Sequence, residues 1–233
     1  MMTYIGGNVD NCSFAVTEEN QEAMNAVLDF SEEEEKQLLC IYGEEGTGKT
    51  HLSRVARDVL DENGFMVRIL TEWNWMEAVT RWKDQGRCLG DLYQDYEKWD
   101  GLILENIHQY QKDEFREAFC SLLNQFWIRG KKILVTCDRH PQDLEWFEEE
   151  KMFEKVCLSK PSLELKKLVL QDYEQIGQVI FPEKIRNVIL ERSSKLPAMR
   201  HALNRAIFQH KTQGKALTVE LFESILKKED QNL

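Results

Sequence analysis

The octapeptide GEEGTGKT at residues 43–50 constrains this chain more than any other stretch. It fits G-x-x-x-x-G-K-[ST] and lies between an apolar run, LLCIY at 38–42, and an amphipathic one, KTHLSRVARDVL at 49–60. A strand, then a glycine-rich turn, then a helix is the context that a phosphate-binding loop requires. Gly43, Gly46 and Gly48 let backbone N–H groups turn inward around phosphates, and the helix N-terminus adds favourable potential there. Lys49 is placed to reach the outer phosphates, and the Thr50 hydroxyl to ligate Mg²⁺. The candidate nucleotide contacts are Gly43, Glu44, Glu45, Gly46, Thr47, Gly48, Lys49, Thr50 and the following His51. A glycine-rich turn with a chance lysine is the bland alternative, and the flanking elements weigh against it.

Further strand-like runs follow: MVRIL (66–70), LIL (102–104), KILVTC (132–137) and KVCLS (155–159). Between them lie helical patterns, EWNWMEAVTRW and DEFREAFCSLLNQFWIRG. The second sets Phe115, Ala118, Phe119, Leu122, Leu123 and Phe126 on one face and ends at Gly130. Short, nearly continuous apolar strands alternating with helices predict an α/β fold, a five-stranded parallel sheet covered on both sides. After Pro161 only helical patterns remain, beginning near Ser162, at Pro182, around Pro197 and at Thr218. The expected division is a nucleotide-binding core over 1–160 and an all-helical lid over 161–233.

In phosphate-loop folds a later strand ends in an acid that holds the Mg²⁺ shell, and in ATPases a second acid polarises the attacking water. Here LILENIH stands in that place. Glu105 keeps a carboxylate suited to magnesium, whereas Asn106 offers a neutral amide that can position a water but cannot take its proton. No residue therefore stands out as catalytic. KILVTCDRHP ends in Thr136 and Asp138, which fit either a γ-phosphate sensor or a strand-end cap. Trp73, Trp75 and Trp82 raise the question of base stacking. Because Trp75, Met76, Val79 and Trp82 share helical spacing, a core-facing helix is the better reading. His108 and His201 have no companions at ligand spacing.

The formal charge of −11 is uneven: residues 159–233 hold 13 Lys and Arg against 9 Asp and Glu, so +4, leaving −15 for the rest. An acidic body repels phosphate backbones and argues against strong autonomous DNA binding. The basic excess is most simply a solvated helical surface, as the acidic SEEEEK (31–36) is a solvated loop or helix end. Six cysteines (12, 40, 88, 120, 137, 157) form no CxxC pair and read as buried thiols of a reducing cytoplasm. No run is long enough to span a membrane, and MMTYIGGNVD lacks a basic segment followed by an apolar one, so neither anchor nor secretory signal is expected.

Taken together, these motifs resemble the AAA+ domain of the bacterial replication initiator DnaA, and especially the domain-only regulators of the Hda family. YGEEGTGKTHL looks like that family's phosphate loop, TCDR-HP its sensor stretch, HALNRAI its lid helix, and SFAVTEENQEAMNAVL (13–28) the segment that enters beside the adenine. The similarity covers about residues 13–226. It implies bound ATP or ADP with Mg²⁺, Asp138 in the nucleotide site, and work through DnaA or another replisome protein, with self-association open. The chain ends after the lid pattern, so the initiator's helix-turn-helix is not expected, and Asn106 also resembles the short regulators.

Three departures qualify that resemblance. In KMFEK, Met152 stands where the family carries its trans-acting arginine, with Lys151 beside it. Pro197 stands where the lid carries its sensing arginine, Arg200 following one turn later. The N-terminus lacks a Gln-Leu-x-Leu-Phe-like peptide for a sliding clamp. A missing finger alone can remove about three to five orders of magnitude in rate. The expectation is a replication-initiation regulator with little or no hydrolysis. A helicase loader binding single-stranded DNA is the main rival, disfavoured by the acidic core, and a small-molecule phosphate-loop kinase fits the helical lid poorly.

Overall fold

In the computed structural model, residues 14–230 other than 111 and 194 are described, without the side chains of 89, 90 and 227–230. The N-terminal peptide considered for clamp docking, and Cys12, lie outside the described residues. Five strands form one parallel sheet: β1 (Leu38–Tyr42), β2 (Val67–Leu70), β3 (Gly101–Leu104), β4 (Lys132–Cys137) and β5 (Glu154–Cys157), in the order β2-β3-β4-β1-β5. The three central strands are almost wholly buried. The edge strands β2 and β5 alternate with exposed positions, as strands paired on one side only do.

Period-two alternation sorts the strand residues into two apolar layers. Leu39, Ile41, Ile103 and Leu134 face α1 (Gln21–Glu32) and α2 (Lys49–Glu62). Leu38, Cys40, Leu102, Leu104, Ile133 and Val135 face α3 (Glu72–Asp84), α4 (Leu89–Tyr96) and α5 (Asp113–Ile128). All six expected core residues of α5 are buried. Trp75, Val79 and Trp82 are buried on α3, with Met76 packed against them, whereas Trp73 is 74% exposed. The three residues at helical spacing from Trp75 thus serve packing, not stacking.

From Lys160 onward the structure is helical: α6 (Leu163–Gly177), α7 (Glu183–Arg192), α8 (Leu196–Gln213) and α9 (Val219–Asp230). The Ser162 hydroxyl accepts from Leu165 N–H (3.1 Å), Pro182 precedes α7, Pro197 lies in the first turn of α8, and Thr218 Oγ1 accepts from Leu221 N–H (3.3 Å). These helices enclose their own apolar cluster around Ile189, Met199, Leu203 and Phe222. Two compact units result: one runs to Ser159 except for 45–47, the other comprises 45–47 and 160–233.

Two expectations are corrected. Cys40 and Cys137 are buried thiols, but Cys88, which precedes α4, and Cys157, on the edge strand β5, are exposed. The helix α4 has no counterpart in the sequence reading. Its periodic signal spans only eight residues and includes Gly90, so the cap, Asp91 Oδ2 accepting from Cys88 N–H at 3.0 Å, is its clearest mark. No helix among the described residues is long and apolar enough to cross a membrane.

Candidate nucleotide site

The loop between β1 and α2 needs left-handed backbone at Gly46 (φ 83°) and Gly48 (φ 108°), which a side chain would strain. With Gly48 in that conformation, α2 starts at Lys49, and Gly48 O accepts from both His51 N–H and Leu52 N–H (2.9 Å each), so the positive end of the helix dipole faces the loop. Lys49 is buried, and its Nζ donates to Gly43 O (2.6 Å) and Glu44 O (2.9 Å), so the cation lies across the loop. Glu44, Glu45 and Thr50 are exposed, Thr47 is buried, and the His51 ring lies 5.6 Å from that of Phe14, at the start of the stretch expected beside the base.

Glu105 follows β3 and is 5% exposed. It accepts a hydrogen bond from Ser53 Oγ (2.8 Å), a residue of α2 one turn beyond Thr50. Burial pushes its carboxyl above the usual carboxylate range, opposed by Ser53 and Arg54 and reinforced by Glu72. A desolvated carboxylate beside a loop built for phosphates gives a hard-oxygen donor set with the Thr50 hydroxyl. That set suits Mg²⁺, which binds through one or two protein oxygens plus substrate phosphates. The residues present therefore fit the group.

Asn106 adopts left-handed backbone (φ 57°, ψ 45°), which asparagine tolerates better than most residues. Its N–H donates to Thr136 Oγ1 (3.0 Å) and its Nδ2 to Glu72 Oε2 (3.1 Å). Thr136 is wholly buried, so its hydroxyl ties the end of β4 to the turn after β3, the capping role of the two readings open for it.

Asp138 lies further out. The Arg139 guanidinium hydrogen-bonds it (2.7 and 3.1 Å) and holds its carboxyl below the usual range, with help from His108 and Lys49. His108 Nδ1 accepts from Asp138 N–H (3.2 Å), and burial lowers its pKa despite Asp138. Thus Lys49, Glu105, His108, Asp138 and Glu72 occupy one electrostatic neighbourhood. Sequence reasoning missed Glu72, His108 and Ser53. Ser53 is one helical turn from Thr50, and Glu72 stands two residues past β2 as Asn106 does past β3, a signal readable only once strand order is known.

Met152 packs against the apolar cluster beneath α5, and Lys151 beside it is exposed. Pro197 opens α8, and Arg200 Nε donates to Tyr173 Oη of α6 (3.2 Å).

Fold and loop together define a P-loop AAA+ module: a five-stranded parallel sheet between helices, followed by a helical unit. The model of the bacterial DnaA ATPase domain matches residues 10–156, and the chain belongs to that family. It is 26% identical over 196 residues to the chromosomal replication initiator protein DnaA of Nitrosospira multiformis, an alignment covering 80% of this chain and 41% of that protein. The chain thus spans about two fifths of the length of that relative. Domain III of Thermotoga maritima DnaA superposes with a TM-score of 0.83 at 23% identity, covering 92% of this chain and 94% of that one. AMPPCP-bound DnaA from Aquifex aeolicus gives 0.75 at 21%, covering 94% and 68%.

Proposed function

We propose that this chain binds ATP or ADP with Mg²⁺ in the loop 43–50 and regulates the initiation of DNA replication through contacts with DnaA or another replisome protein. The observation that carries this reading is an intact loop, with Lys49 drawn across the Gly43 and Glu44 carbonyls, beside a strand that ends in Glu105-Asn106. Gly43 to His51 and Asp138 surround the nucleotide, and Thr50 and Glu105 hold the metal, which would neutralise phosphate charge. Hydrolysis is slow, because an amide follows Glu105 and a methionine occupies the finger position. Nucleotide then acts as a conformational ligand more than as a fuel, favouring whichever state binds it better.

Isothermal titration with ADP and ATP tests the reading directly. Binding is expected in the wild type and lost in Lys49→Ala, with steady-state phosphate release close to background. Equal affinity in Lys49→Ala would remove the loop from the account. Rapid turnover by the pure protein would remove the regulator's slow chemistry. A pull-down from extract then distinguishes initiator from helicase as the partner.

A further inference from the structure

The parallel register of β2 and β3 pairs Leu70 with Leu104, and Glu105 N–H donates to Leu70 O (2.9 Å). Two residues beyond that pair, Glu72 and Asn106 meet side chain to side chain at 3.1 Å. The carboxylate expected after Glu105 is absent from β3, yet one stands opposite its position on the continuation of β2. Glu72 is half-buried in the first turn of α3, a favourable place for a negative charge. Its Oε2 accepts from Asn106 Nδ2, which fixes the carboxylate, and its Oε1 has no hydrogen-bond partner among the described residues. One oxygen tethered and one open is the arrangement a proton acceptor needs.

Resting on the nucleotide reading above, we infer that Glu72 replaces the acid missing from β3. The open oxygen Oε1 takes a proton from the water that attacks the terminal phosphorus of bound ATP. The new bond forms between that water oxygen and phosphorus, the bond to the bridging oxygen of ADP breaks, and the proton passes from Glu72 to the released phosphate. Asn106 is the positioning residue: its amide holds Glu72, and its own Oδ1 is left to accept from the same water. The acid thus stands after β2, in the first turn of α3, and the amide after β3. The protein therefore retains slow turnover, and that turnover depends on a residue outside the family's strand-end motif.

Single-turnover hydrolysis of ATP, with protein in excess and Mg²⁺ present, tests the replacement, and calorimetric nucleotide affinity serves as the check on folding. Glu72→Gln keeps the contact to Asn106 but is expected to bring the slow wild-type rate down to that of free ATP, with affinity unchanged. Adding Asn106→Asp to Glu72→Gln, which moves the acid back to β3, is expected to restore most of the rate. An unchanged rate in Glu72→Gln overturns the inference. So does wild-type release no faster than that of free ATP, an outcome that leaves nucleotide binding, read by calorimetry, untouched. Should Glu72→Gln not fold, the double variant decides alone: wild-type hydrolysis supports the replacement, and a folded double variant without hydrolysis overturns it.

Discussion

Single residues near the site carry consequences that can be measured one at a time. Tyr110 closes the turn after β3 and is fully buried between Trp75, Phe119 and Trp146, yet its hydroxyl has no hydrogen-bond partner among the described residues. A buried hydroxyl without a partner carries its desolvation cost uncompensated, and removing it can be neutral or stabilising. Tyr110→Phe is therefore expected to leave stability unchanged or raise it by about 1 kcal/mol in urea denaturation. A loss of that size would reveal a partner for the hydroxyl. His108 gives a pH dependence. Burial holds its folded pKa below the ordinary value, so the unfolded chain binds a proton that the folded one resists. The resulting stability is present above about pH 6.5, the unfolded value, and is lost as pH falls through the lower folded value. Asp138, held down by Arg139, adds a loss of the same sign at lower pH. Urea midpoints from pH 7.5 to 5 should fall more steeply in wild type than in His108→Gln.

Among the elements, the legible and the illegible parts of the chain separate on physical grounds. The loop after β1 is readable because glycine spacing, lysine and flanking periodicities all lie within one continuous stretch, residues 38–60. The buried face of α5 is readable for the same reason. The contact of Glu72 with Asn106 is not, because it depends on β2 and β3 being neighbours in register across 34 residues of chain. Lys132 is a second case. It opens β4, is 3% exposed, and its Nζ donates to Phe30 O (2.7 Å), Glu33 O (2.8 Å) and Lys36 O (3.0 Å). The sequence shows a lysine before an apolar strand. The structure shows a cation satisfying carbonyls of the last turn of α1, its C-cap and the loop beyond, where the helix dipole also favours positive charge. Lys132→Met keeps the stem's packing and leaves those carbonyls without the donor. It is expected to cost about 2–3 kcal/mol in urea unfolding. A cost below about 0.5 kcal/mol, as for an ordinary surface substitution, would mean that water serves these carbonyls as well as the ammonium does.

For the whole molecule, the decisive quantity is the division of charge. The helical C-terminal part carries +4, and the part that holds the loop carries −15. Nonspecific attraction to DNA comes from neutralising phosphates and releasing counterions, and it weakens steeply with salt as the number of cations engaged rises. An acidic body opposes that attraction at long range, whereas in the proposed function the loop N–H groups and Lys49 hold a nucleotide at contact distance. The two properties therefore separate. At about 0.15 M salt the Debye length is about 8 Å, so the repulsion is felt near the surface and grows as salt is lowered. Fluorescence anisotropy with labelled single- and double-stranded oligonucleotides should show weak binding at that salt, while ADP still titrates the same protein. Lowering the salt should bring only a shallow gain, because the few cations of the C-terminal part work against the field of the remainder. A steep salt dependence with tight binding would show that a local basic face overrides the net charge. The helicase-loader reading, which needs single-stranded DNA, would then displace the regulator reading.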